Sequence, residues 1–143
     1  MGLDMYLRAK KYVGGIKTGI PQDLQQAFKT TSELSKTYEV GYWRKFYPLH
    51  SLITELCEAP EDNCYEMYLN DRVIGEIIDT LNNWIEKIND GISYYEINSE
   101  WFGMEGWFEN KEEVIDYIQR TIVLFQKALT LLDNYYFYYY AWY

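Results

Sequence analysis

The chain has 143 residues, 48% of them apolar, and a net charge of −9 from 13 basic and 22 acidic side chains. That length suits one domain with a real hydrophobic core, and the composition excludes a disordered chain. The acidity argues against direct binding of nucleic acid, and no apolar run in the sequence approaches the ~20 residues of a membrane-spanning helix.

From Leu3 to Val13 apolar and polar residues alternate, which predicts a strand with one buried face, ended by Gly14-Gly15. The polar segment from Ile16 to Lys36 follows; Asp23 to Phe28 forms a short helix there, or the whole stretch is a loop. Tyr38 to Trp43 reads as a second strand, with Gly41 marking a bulge or a close backbone approach. Pro48 in a first turn, then Leu49, Leu52, Ile53 and Leu56 at helical spacing, predict a helix from Tyr47 to Glu58.

After a turn at Ala59–Asn63, Cys64 to Leu69 is a short third strand. Asn70 caps a helix whose apolar stripe runs through Val73, Ile74, Ile77, Ile78, Leu81, Trp84, Ile85 and Ile88. Asn89-Asp90-Gly91 stops it. Ile92 to Phe108 is aromatic and lacks a helical period, so a hairpin or an ordered loop is expected. Asn110 with Glu113 resembles a capping box and opens the last helix, whose buried face is read as Val114, Ile115, Ile118, Ile122, Phe125, Leu129 and Leu132. Tyr135 to Trp142 is a final strand of high β propensity.

These elements add up to a single α+β domain over residues 1–143: about four strands in an antiparallel or mixed sheet, packed against two to three helices. The strands at the two chain ends are expected to lie next to each other. An aromatic final strand at a sheet edge would also offer a surface for pairing into a homodimer. The N-terminus lacks the apolar core of a secretion signal, so a cytoplasmic protein with reduced Cys57 and Cys64 is expected.

Charge is unevenly spread. Residues 1–45 hold eight basic side chains against four acidic ones, a net of +4; the remainder carries −13. Glu109, Glu112, Glu113 and Asp116 fall at i, i+3, i+4 and i+7, so they share one helix face. Such a stripe is either a solvated face or a contact for a basic protein partner. Tyr42, Trp43, Arg44 and Lys45 join rings to cations, as base stacking or an interface anchor requires.

His50 is the only histidine. With Cys57 and Cys64 it lacks the paired spacing of a zinc site and the third group of a nucleophile–base couple. No phosphate-cradling Gly-rich loop is present, and no cofactor, metal or enzymatic activity is expected.

The opening MGLDMYL, the segment EVGYWRK at 39–45 followed by His50, the run Asp62-Asn63-Cys64 and the Tyr/Trp-rich end resemble a family of small bacteriophage and prophage proteins. The resemblance implies a phage origin and a location in the host cell, and by class the inhibition of a host factor such as a defence system. The expected function is therefore an acidic binding protein acting on a host protein with a basic surface, through Glu109, Glu112, Glu113, Asp116 and the exposed aromatics. The alternative is a binder of a nucleotide-like small molecule in a pocket around Tyr42, Trp43, Arg44 and His50.

Overall fold

The computed structural model describes residues 2–11, 19–34, 36–59, 66–104 and 106–142. The strands β1 (Asp4–Lys11), β2 (Glu33–Leu34), β3 (Thr37–Arg44), β4 (Met67–Leu69) and β5 (Tyr135–Trp142) form one sheet in the order β2-β3-β1-β5-β4. Every ladder is antiparallel. The helices are α1 (Gln22–Ala27), α2 (Tyr47–Leu56), α3 (Asp71–Asn89), α4 (Tyr94–Ile97) and α5 (Lys111–Thr130), with a 3-10 turn at Ser99–Met104.

The α+β class and the four predicted strands are all present; β2, two residues long, is an addition. The turn expected before β4, together with Cys64, lies outside the described residues. The chain ends do meet: β1 pairs with β5 from Asp4↔Trp142 to Lys11↔Tyr135. β5 is not an edge strand, however, because β4 pairs along its other side from Met67↔Tyr139 to Leu69↔Phe137. The premise for a dimer across that strand is therefore removed.

Strand alternation decides what each residue faces. Leu3, Met5, Leu7 and Ala9 are buried, as are Tyr38 and Trp43 on β3 and Tyr135, Phe137, Tyr139 and Ala141 on β5. Between Leu7 and Arg8 the β3 register slips by one, which leaves Val40 as an extra, buried residue. The bulge expected at Gly41 falls on its neighbour Val40, and what crowds Gly41 is side chain, not backbone. A Cβ there would stand 3.1 Å from the Trp43 indole and 3.2 Å from the Leu7 Cβ.

The helices cover this buried face. Asn70 Oδ1 accepts the Val73 N–H at 2.8 Å, and α3 then buries Val73, Ile74, Ile77, Leu81, Trp84 and Ile88. On α5 the buried stripe is Val114, Ile118, Thr121, Ile122, Phe125 and Ala128. Leu129, assigned to the core by periodicity, has turned outward and is 39% exposed. The short helix α1 does form, with Leu24 in the core.

Tyr94–Ile97 and Ser99–Met104 are short helical turns, so this segment does not make a hairpin. Ser93 Oγ caps α4 by accepting the Tyr95 N–H at 3.3 Å. Trp101 then anchors the 3-10 turn, with the rings of Phe46, Trp84, Tyr94 and Phe108 between 5.4 and 6.1 Å away. One large buried ring fixes this segment, which is why no repeating period announced it.

Candidate functional site

The face of the sheet opposite the helices carries no helix among the described residues. Onto it project Asp4, Tyr6, Arg8 and Lys10 from β1, Glu39, Tyr42 and Arg44 from β3, Tyr68 from β4, and Tyr136, Tyr138, Tyr140 and Trp142 from β5. Tyr42, Tyr68 and Trp142 are about half exposed, at 49%, 56% and 55%. The rings touch across strands: Tyr6 lies 5.3 Å from Tyr42 and 6.4 Å from Tyr140, while Tyr68 lies 5.6 Å from Tyr136 and 5.7 Å from Tyr138. Such cross-strand contacts are how a sheet holds a surface rigid.

Arg8 sits in the middle of this face. Its guanidinium carbon is 4.8 Å from the centre of the Tyr6 ring and 5.1 Å from that of Tyr140. Its Nε is buried without a hydrogen-bond partner, and among the described residues neither Arg8 nor Arg44 forms an ion pair. The nearby carboxylates are engaged elsewhere. Asp4 accepts from the Tyr42 hydroxyl at 2.6 Å; Glu66 accepts from Tyr68 at 3.2 Å and pairs with Lys10 at 3.6 Å. Glu39, directly across from Arg8 in the β1–β3 ladder, accepts from Thr31 at 3.0 Å and forms no ion pair with Arg8. The centre of the face therefore carries a cation over two tyrosine rings.

The hydroxyls of Tyr6, Tyr42 and Tyr68 stay protonated at neutral pH. The hydrogen bond to Asp4, with burial adding to it, pushes Tyr42 up to about 12. Burial raises Tyr6 as well, with Asp4 adding to the effect. Burial and Glu66 raise Tyr68. Their rings offer apolar surface, and the Tyr42 and Tyr68 hydroxyls, whose protons go to Asp4 and Glu66, can still accept hydrogen bonds.

Of the residues nominated by sequence, Tyr42 and Arg44 belong to this face. Trp43 does not, because strand alternation turns it to the helical side. It is 4% exposed, stacked on Phe125 at 5.8 Å and 7°, with its N–H donated to the Thr121 hydroxyl at 3.0 Å. Its assignment as a binding residue is corrected: it is core. Lys45 follows β3 with a positive φ of 57° and donates its backbone N–H to the Leu3 carbonyl at 2.7 Å.

His50 is on α2, where Nδ1 and the Tyr139 hydroxyl share a hydrogen bond of 2.6 Å on the buried side of the sheet. Burial lowers its pKa. Trp43 and His50 thus lie on one side of the sheet, and Tyr42 and Arg44 on the other. The structure does not bring these four together into the pocket foreseen for a nucleotide-like ligand.

The acidic residues of α5 gather at its N-terminus, where two are already used. Asn110 Oδ1 accepts the Glu113 N–H at 3.0 Å, and the Glu113 carboxylate accepts the Glu109 N–H at 2.8 Å. Asp116 pairs with Arg120 at 2.9 Å. Glu112, Glu113 and Asp116 line an open depression of about 580 Å³ beside Trp107 and Phe108. Cys57 borders another, of about 390 Å³; burial pushes its thiol up while Arg72 pulls it down. Among the described residues no three His, Cys, Asp or Glu side chains cluster as metal ligands.

Most of the tyrosine face was missed by sequence reasoning. Tyr6, Arg8 and Lys10 do occupy the polar positions of the β1 alternation. The signal failed at β5, whose run YYFYYYAW places aromatics at both parities and so does not say which side is open.

Comparison of the chain with protein-family models, with curated proteins and with solved structures returns no match.

Proposed function

We propose that this chain is a phage-encoded binding protein that inhibits a host factor, such as a defence component, by protein–protein contact, and that the open tyrosine face is its contact surface. The observation that carries this reading is Arg8, whose guanidinium lies over the neighbouring rings of Tyr6 and Tyr140 with no ion pair among the described residues. Tyr, Trp and Arg supply most of the energy at protein interfaces. Tyrosine offers large contact area for the loss of only two side-chain torsions. An arginine already immobilised by its neighbours loses little further freedom on binding.

The partner's central contact is then a carboxylate opposite Arg8. Around it a basic surface suits the −13 carried by residues 46–143, which acts through steering and rim contacts. Binding is preferred over catalysis because His50 is tied to Tyr139 and the Cys57 thiol is raised by burial, so neither forms an activated couple.

Affinity capture from bacterial host lysate tests the reading. The wild-type chain should retain one protein in stoichiometric amount, as should a Glu109→Lys/Glu112→Lys variant. An Arg8→Glu/Tyr140→Ala variant should lose it. If the sheet variant keeps the partner and the α5 variant loses it, the contact surface is the acidic stripe; if the wild type retains no protein, the reading fails.

A further inference from the structure

At the β3 edge of the tyrosine face, where β3 runs beside α5, there is a groove of about 550 Å³. β2 pairs only with Thr37 and Tyr38, so beyond Glu39 no described strand lies along this edge of β3. The groove's floor is apolar, made by Phe28, Val40, Gly41 and Leu124, with Tyr42 alongside. Gly41 contributes by its missing side chain, since a Cβ there would be 3.4 Å from Leu124 Cδ1. A smaller recess of about 160 Å³ shares Tyr42, Arg120 and Leu124 with it.

Three cations line the groove: Lys29, from the segment after α1, and Arg120 and Lys127 from α5. Arg120, Leu124 and Lys127 are spaced i, i+4 and i+7, which puts them on one stripe of the helix. The one carboxylate in the lining, Glu39, accepts a hydrogen bond from Thr31 at 3.0 Å. Only five basic residues follow position 45 in a chain of net charge −9, and two of them are here. The local charge is the reverse of the molecule's.

We propose that this groove binds a nucleoside phosphate, with the phosphates held by Lys29, Arg120 and Lys127 and the base lying on the apolar floor beside Tyr42. A bare anion would leave that floor unused. The volume matches a single small ligand. Arg120 is available because its partner Asp116 is an exposed i,i+4 ion pair, with side-chain exposures of 74% and 61%, which a polyanionic phosphate outcompetes. The cations are distinct from Arg8 and Arg44, and Tyr42 is the residue this site shares with the sheet face.

Isothermal titration with ADP, GDP, CDP and UDP, and separately with inorganic phosphate, tests it. At least one diphosphate should bind one to one, about tenfold or more tighter than inorganic phosphate. A Lys29→Ala/Lys127→Ala variant should lose about tenfold or more in affinity while keeping the wild-type melting temperature. Arg8→Ala should bind the nucleotide as the wild type does. Absence of binding at millimolar nucleotide, equal affinity for inorganic phosphate, or indifference to the lysine substitutions would overturn the proposal. Tighter binding of an oligoglutamate peptide than of any nucleotide would overturn it too.

Discussion

Arg8 and Trp43 are both candidates on composition, and their surroundings separate them. Arg8 stacks on two rings of an open face, so Arg8→Ala should change stability by less than about 1 kcal/mol in urea denaturation. Partner affinity should nevertheless fall at least tenfold. Trp43 is packed on Phe125 and bonded to Thr121. Trp43→Ala should therefore cost about 3–5 kcal/mol, by the cavity it opens and the lost partner for the Thr121 hydroxyl. A small stability change for Trp43→Ala would contradict its placement in the core.

His50 supplies a pH dependence at the same scale. Its pKa is lowered by burial from 6.5, so the unfolded chain takes up a proton before the folded one does. Above pH 6.5 both states are neutral and no penalty exists. As pH falls below 6.5, stability declines, and the loss is complete below the folded-state pKa. Denaturation at stepped pH should show this decline in the wild type and a flatter profile in His50→Gln between pH 7.5 and 5. Parallel profiles would place His50 in contact with solvent.

At the scale of elements, α5 is the one whose function and stability compete for the same residues. Asn110 and Glu113 cap it, and Asp116 is paired with Arg120. Asn110→Ala should lower stability by about 1 kcal/mol in thermal melts followed by circular dichroism. Charge reversal at Glu112, which has no part in the cap, should leave stability nearly unchanged. It should alter mainly the association rate with a charged partner and its salt dependence.

The elements also mark where pattern reading succeeds. β1, β3, α2, α3 and α5 were legible because each buries one face, and burial writes a period of two or of 3.6 into the sequence. β2 is too short to carry a period. The 92–104 segment is organised by one ring, Trp101. β5 was legible as a strand, but with aromatics on both sides it hid the open face. In β3, alternation separates Tyr42 from Trp43 with certainty; which of them faces solvent depends on the helices above, and those are distant in sequence.

At the scale of the whole molecule, the terminal strands β1 and β5 form the sheet's centre, and the helices between them in sequence cover one side. The other side is left with tyrosines, a tryptophan and an arginine that forms no ion pair among the described residues, on a molecule of net charge −9. A surface of that composition is suited to a protein partner that is basic at its rim and presents an acid at the centre. Photo-crosslinking in host cells tests this most directly, with a benzoylphenylalanine placed at position 68 on the open face or at position 107 beside the acidic end of α5. A host protein joined covalently from position 68 and not from position 107 is the expected result. Crosslinks from position 107 alone would contradict it, because the acidic end of α5 would then be the surface that meets the partner.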